Sequence, residues 1–382
     1  MIEDRLASVS PETRMQETLI GPAMFLSEKT PLLAIDIGTH SIKMAQISGS
    51  KNKFELMNFS IMPLKEGSVV DGVVQQTDEI VDTLEKMIKV EKIDTKYAVA
   101  SIAGEAVIIK KIRVPKMSSE DLAQNIQAEA EQYIPFDIDD VSIDFQILNT
   151  KGGSSDEKQE EDTMEILLVA VQRDIIENRI DLLYDVGLRP AIIDLDVFAM
   201  VNAFELGAGL NAMEQEAIAV IDLGDSFTHL NILQDGLTAY TRDIPFGGSL
   251  CTSKLMSKFD LPYKEITKLK LGVIPSEIKN EEVVEVIVKS FDKILSEVQK
   301  SFEFFSTTSN SQVDRVLLTG GGALISGVDG LFSHHLETPV EILNPMKGIK
   351  VNKRKFDQKT IDTMGPLSTV AIGLAARRFD YQ

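Results

Sequence analysis

A single cysteine, Cys251, stands in a chain of 382 residues, so no internal disulfide is available, and such usage fits a reducing compartment. Read on its own, Cys251 is a small core residue rather than a catalytic thiol. Four histidines and no Cys-x-x-Cys leave no metal-ligand spacing, and the adjacent His334 and His335 read as surface positions. Long apolar runs are missing too. None approaches the roughly 18–20 residues that cross a bilayer, which argues against a membrane-spanning chain. Basic charge is scarce, with 39 Lys and Arg against 59 Asp and Glu for a net charge of −20. Without a cationic excess to displace counterions, the charge balance disfavours nucleic acid as a general partner. The first 23 residues carry mixed charge and lack the basic start and apolar core of a secretory signal, so residues 1–23 are expected to form a flexible extension.

What the chain does carry, it carries twice. Leu32 to Ser48 (LLAIDIGTHSIKMAQIS) and Ile218 to Leu233 (IAVIDLGDSFTHLNIL) each run from an apolar stretch into Asp-x-Gly, a short polar turn and a second apolar stretch. The pattern predicts two β-hairpins, with Asp36 and Asp222 at equivalent positions. Gly38 and Gly224 let the backbone approach a ligand closely. The hydroxyls of Thr39, Ser41, Ser226 and Thr228 stand where phosphate oxygens would be met. Carboxylates beside phosphates imply a divalent cation, with Asp36 and Asp222 on its metal side. A third stretch, VLLTGGGALISGV from Val316 to Val328, is an apolar strand running into Gly320, Gly321 and Gly322, then Ala323 and the start of a helix whose N-terminus favours negative charge. Lys43, on the second strand of the first hairpin, has two readings: a phosphate contact or an exposed strand lysine.

The length suggests two to three domains, and the duplication fits two halves, residues 24–206 and 207–382. In the first, a strand over Lys53–Met62, a helix over Thr77–Val90 with Ile80, Leu84 and Met87 at helical spacing, and a strand over Tyr97–Ile102 extend the hairpin into a ribonuclease-H-like unit. The stretch from about residue 105 to 171 is foreign to that core. A strand Val107–Val114 closed by Pro115, a helix begun at Ser118 and ending near Tyr133-Ile134-Pro135-Phe136, and strands Val141–Leu148 and Met164–Val171 make a small α/β insertion. Between the last two, Thr150–Thr163 is polar and acidic without periodicity, a loop. A helix Gln172–Val186 stopped by Gly187, a strand Ile192–Leu195 and a helix Asp196–Leu206 finish the half. In the second half, Pro245-Phe246-Gly247-Gly248-Ser249 opens a helix, Tyr263–Lys268 forms another, and Glu282–Phe305 is a long one with an apolar stripe from Ile287 to Phe305. Gly365–Arg378 is an Ala-rich helix suited to packing between the halves. The fold class is α/β, a duplicated ribonuclease-H-like arrangement with an insertion subdomain.

The two Asp-x-Gly hairpins and the triple glycine, in this order and spacing, resemble the phosphate and adenosine motifs of the actin and sugar-kinase superfamily of ATPases. Asp222-Leu223-Gly224-Asp225-Ser226-Phe227-Thr228-His229 is similar to the second phosphate loop of actin. The position of the insertion resembles the cell-division family FtsA and, more closely, the type IV pilus-assembly family PilM, through FLSEKTPLLAIDIG, AEAEQYIPFDIDDVSIDFQIL, DVGLRPAIIDLDVFAMVNAFE and TRDIPFGGSLCTSKL. The likeness begins near Met24. It implies ATP and Mg²⁺ as ligands, with Asp36, Asp222 and His229 around the reacting phosphate and Asp225 in the loop. Glu265 and Lys268 would stand at the adenosine, although Lys264 departs from the family pattern. It further implies a cytoplasmic protein recruited to the inner membrane by holding the cytoplasmic N-terminal peptide of PilN in a groove beside the insertion, where Tyr133, Ile134 and Phe136 are candidates, and working with the pilus motor ATPases. Slow or no ATP hydrolysis suits such an adaptor. The alternatives are an FtsA-like filament former and a sugar-kinase-type phosphotransferase.

Overall fold

The computed structural model describes residues 32–50, 53–148, 163–208 and 216–377. The expected extension 1–23 and residues 150–162 of the expected loop lie outside them. The first hairpin is β1 (Leu33–Ile37) against β2 (Ser41–Ser50), followed by β3 (Lys53–Pro63). A short ribbon, β4 (Val69–Val70) and β5 (Val73–Val74), leads into α1 (Thr77–Glu91) and β6 (Tyr97–Ile102). Ile80, Leu84 and Met87 bury the inner face of α1, the i, i+4, i+7 stripe that its sequence predicts.

The insertion follows as β7 (Val107–Pro115), α2 (Ser119–Ala130), β8 (Val141–Leu148) and β9 (Thr163–Gln172). Its strands form a separate sheet in the order β7-β9-β8. Ser118 caps α2, its hydroxyl accepting from the Asp121 amide at 3.1 Å, and Leu122, Ile126 and Ala130 face the sheet. The chain re-enters the first unit through α3 (Arg173–Asp185), β10 (Arg189–Leu195) and α4 (Asp196–Ala208). The second unit opens with β11 (Ala217–Leu223), β12 (Thr228–Gln234) and β13 (Leu237–Ile244). After it come α5 (Gly248–Phe259), α6 (Tyr263–Lys270), α7 (Asn280–Ser309), β14 (Arg315–Thr319), α8 (Val328–Leu336) and β15 (Val340–Ile342).

The two main sheets share one topology. The first runs β10-β6-β1-β2-β3 and the second β15-β14-β11-β12-β13. In each, the opening strand pairs antiparallel with the second and parallel with the fourth. The duplication read from the hairpins therefore extends through whole sheets, and it places Asp36 and Asp222 at the same penultimate position of their strands.

Two expectations change. The triple glycine does not open directly into a helix: Gly321–Leu324 form a 3₁₀ turn, and α8 begins only at Val328. The C-terminal stretch is not one helix either. α9 (Gln358–Met364) stops, Pro366–Ser368 make a 3₁₀ turn, and α10 spans Thr369–Ala376. Pro366 has no amide to continue the hydrogen-bond ladder, which is why the helix restarts. Counted by sequence with the second half, this last stretch packs on the first. β16 (Lys350–Val351) adds parallel to β3, and α10 buries all eight of its residues.

Close approach of α10 to α4 requires Gly373, since a Cβ there would stand 1.7 Å from the Ala199 carbonyl oxygen. Glycine is retained although alanine is the better helix former by about 1 kcal/mol. Gly373→Ala is therefore expected to lower stability by about 1–3 kcal/mol, the usual range for overpacking, as a reduced midpoint in urea unfolding.

Candidate functional site

The carboxyl ends of β1, β6, β10 and β11 converge on a cleft of about 690 Å³ between the two main sheets, the place where open α/β sheets bind ligands. Its floor is built by cross-strand pairs. In the first hairpin Asp36 lies opposite Lys43, and in the second Asp222 lies opposite His229. Lys43 lines the cleft and its Nζ donates to Asp36 Oδ2 at 2.9 Å, so it is not an exposed strand lysine. Burial opposes the charge of Lys43, but Asp36, with Asp222 and Asp196 behind it, raises its pKa above the ordinary lysine value.

His229 is 8% exposed and its Nδ1 donates to Asp243 Oδ1 at 2.6 Å. Burial alone would neutralise the ring. The hydrogen bond and charge of Asp243, helped by Asp196 and Asp222, outweigh it and push the pKa up to about 9. His229 is thus a cation at neutral pH, a donor on both nitrogens. Asp243 Oδ2 also accepts the Gly104 amide at 3.0 Å, so the same carboxylate joins the cleft floor to the root of the insertion. Asp196, at the start of α4, is pushed up to about 6 by burial and by the neighbouring Asp36 and Asp222, with His229 and Ser101 pulling the other way.

The phosphate-type loops meet above this floor. Gly38, Thr39, Ser41, Gly224, Asp225 and Ser226 line the cleft, as do Gly320, Gly321 and Gly322. The second loop is locked to the start of α5: the Gly248 amide donates to Gly224 O at 2.8 Å and the Ser249 amide to Asp225 O at 2.9 Å. Gly320 has φ +81°, and a Cβ there would stand 1.9 Å from Asp222 Oδ1. At the mouth, the Tyr263 hydroxyl lies 3.3 Å from His40 Nε2, spanning from α6 to the turn of the first hairpin.

Four expected residues sit elsewhere. Thr228 is fully buried and its hydroxyl donates to Phe246 O. Strand alternation turns it away from the face that carries His229. Ala323 is buried in the core of the second sheet. Glu265 and Lys268 pair with each other at 2.9 Å on an exposed face, while α6 presents Tyr263, Thr267, Lys270 and Leu271 to the cleft. Around the insertion, Ile134 is buried within its core and Tyr133 and Phe136 pack half-buried against it. The groove next to the insertion, about 350 Å³, is lined instead by Val107, Ile108 and Ile109 of β7, by Leu195 and Val197, and by Thr241, Arg242 and Asp243 of β13. Sequence reasoning missed Arg179, Ser101, Asp196, Asp243, Tyr263, Thr267 and Lys270. Asp196 alone carried a signal, an acid directly after an apolar strand.

Among the described residues no group of three or more His, Cys, Asp or Glu forms a metal cage. The donor set suits Mg²⁺ all the same. Asp222 Oδ1 is buried without a hydrogen-bond partner, beside a glycine that leaves it clear, and Mg²⁺ commonly takes one or two carboxylates and completes its shell with water and phosphate oxygens.

Twin sheets of this topology around a loop-lined cleft define an actin-like ATPase fold. MreB5 of Spiroplasma citri bound to ADP shares it, with TM-score 0.52 and 14% identity over 93% of this chain and 97% of that one. The family described as type IV pilus assembly protein PilM matches residues 34–379, and the chain belongs to that family. A solved PilM-PilN type IV pilus biogenesis complex is similar at TM-score 0.79 and 25% identity, covering 91% of this chain and 98% of that chain. The cell shape-determining protein Mbl of Bacillus subtilis (strain 168) is 24% identical over 38% of this chain. The chain spans about half the length of the curated relatives it matches, 54% for Mbl. Among the described residues no helix is long and apolar enough to cross a membrane.

The raised pKa of His229 sets a pH dependence. A group whose folded pKa lies above its unfolded value of 6.5 contributes stability that is complete below pH 6.5 and lost as the pH rises through about 9. The loss is on the order of 3 kcal/mol. Thermal unfolding of the ligand-free protein should show a melting temperature that falls across this window and a flatter profile in His229→Gln; parallel profiles would remove His229 as the cause.

Proposed function

We propose that this protein is a nucleotide-dependent adaptor of type IV pilus assembly, which binds ATP with Mg²⁺ in the cleft and holds an extended peptide of a membrane partner beside the insertion. The observation that carries this reading is the bifurcated Asp243 carboxylate, which holds His229 in the cleft with one oxygen and the Gly104 amide with the other. A change of charge or ligand at the cleft floor thereby bears on the first residues of the insertion.

The phosphates lie along the three glycine loops, with Lys43 and His229 as their cations and Asp36 and Asp222 holding Mg²⁺ directly or through water. Bound Mg²⁺ supplies charge neutralisation between the carboxylates and the phosphates. On the base side, Tyr263, Thr267 and Lys270 take the role that the family resemblance implied for Glu265 and Lys268. The partner reading rests on the similar solved complex, which is that of PilM with PilN. β7 is an edge strand of its sheet, and edge strands receive extended peptides by strand addition. The occupant of the groove is accordingly a PilN-type N-terminal tail, which brings a cytoplasmic protein to the inner membrane and within reach of the pilus motor ATPases.

Two experiments test the proposal. At 100 times Kd, Mg²⁺ and ATP should stabilise the wild type by about 2.7 kcal/mol and Asp222→Ala not at all; an undiminished shift in the variant would place the ion elsewhere. In a pull-down from membranes, recovery of a single-span pilus-assembly protein should depend on added ATP and Mg²⁺. Recovery of no such protein under either condition would remove the adaptor reading.

A further inference from the structure

Arg179 occupies an unusual place on α3. It lies three residues after Ile176 and four before Leu183, both buried, so it stands on the stripe where an apolar residue belongs. It is 4% exposed. Its Nε and Nη1 are buried and make no hydrogen bond. It is also the one α3 residue that lines the cleft, whose lining includes the carboxylates Asp36 and Asp196. A guanidinium placed only to neutralise those carboxylates would bond to them. Burial lowers its pKa, with Asp196 and Asp36 pulling the other way, yet neither accepts a hydrogen bond from it.

Lys43 and His229 each already hold a carboxylate, Asp36 and Asp243, while keeping a donor for a phosphate. Lys270 donates to Thr252 Oγ1. Among the described residues, Arg179 is the cleft cation with buried donors left over. A planar fork of donors matches a phosphate, two oxygens at a time. With its base at α6, as in the proposed reading, a nucleotide lays its phosphates along the Gly38 and Gly224 loops, which follow directly on Asp36 and Asp222 in a cleft that Asp196 also lines. We infer that Arg179 receives the terminal phosphate of a nucleoside triphosphate, a group absent from the diphosphate, and so lets the cleft distinguish the two states. This rests on the nucleotide reading of the cleft and adds to it the residue that reads the third phosphate.

The test is titration calorimetry of ADP and of a non-hydrolysable ATP analogue, each with Mg²⁺, against the wild type, Arg179→Met and Arg179→Lys. A charge-assisted hydrogen bond converts to about a 10- to 100-fold loss of triphosphate affinity in Arg179→Met, with ADP affinity within about twofold of wild type. Arg179→Lys keeps the charge without the fork and should lose about three- to tenfold for the triphosphate alone. If Arg179→Met does not fold, the lysine variant decides. Equal losses for both nucleotides, or unchanged triphosphate affinity in a folded variant, overturn the assignment. Wild-type protein that binds neither nucleotide overturns the nucleotide reading itself, and the assignment with it.

Discussion

Two aspartates that line one cleft, Asp36 buried and Asp222 half-buried, set the terms for the rest of this molecule. Asp36 and Asp222 end equivalent strands and Asp196 lies beside them; burial and the charge of Asp36 raise the pKa of Asp222 against the pull of His229 and Lys43. Two like charges 4 Å apart repel by about 4 kcal/mol even at an effective dielectric of 20. The duplicated hairpin supplies its own remedy, because in both copies the residue directly across from the aspartate is a cation, Lys43 in one and His229 in the other. Cross-strand partners lie about 5 Å apart, so the neutralising charge is set by register rather than by a flexible loop. Asp243, one strand further on and in register with His229, extends the row.

Such a floor holds only if the two sheets keep their spacing, and the C-terminal segment fixes it. Pro366 O accepts both the Gly320 amide at 3.0 Å and the Thr319 hydroxyl at 2.8 Å, which anchors the glycine loop of the second sheet. The helix that follows is pressed against α4 of the first sheet through Gly373. Arg377 then closes on Asp194 at the end of β10, its Nη2 donating to Oδ1 at 2.7 Å. A few residues of chain thereby bond to both halves on either side of the cleft, and the aspartates are positioned by that segment as much as by their own strands.

The sheets were legible in the sequence because strand and helix periodicities depend on local burial, and the hairpin tips announced themselves through Asp-x-Gly. Tyr97–Ile102 and Val141–Leu148 are strands over the residues predicted. The misses share a cause. Arg179 looks in sequence like any charged residue of an amphipathic helix; only the packing of α3 shows that it lies on the buried stripe. Asp243 looks like the polar end of an edge strand until His229 and Gly104 are seen around it. Glu265 and Lys268 were placed by likeness to other chains, and in this helix the face turned to the cleft is the one that carries Tyr263 and Thr267. Thr228 shows the limit of spacing arguments in a hairpin, where one residue of register exchanges the cleft face for the core.

The charge states bear on what the cleft can do with a nucleotide. A general base is most effective with a pKa near the working pH. His229, held near 9 by Asp243, already carries its proton and cannot accept another from water; it can only donate to a phosphate oxygen or stabilise its charge. Asp196, near 6, has the better pKa for a base, but it shares its surroundings with Asp36 and Asp222, whose charges a bound cation would have to offset first. In the proposed reading these features favour holding a triphosphate over cleaving it. Asp243 then gives the held state a consequence, because the carboxylate that fixes His229 also fixes the amide at which the chain leaves the first sheet for the insertion. An adaptor needs that link more than it needs turnover.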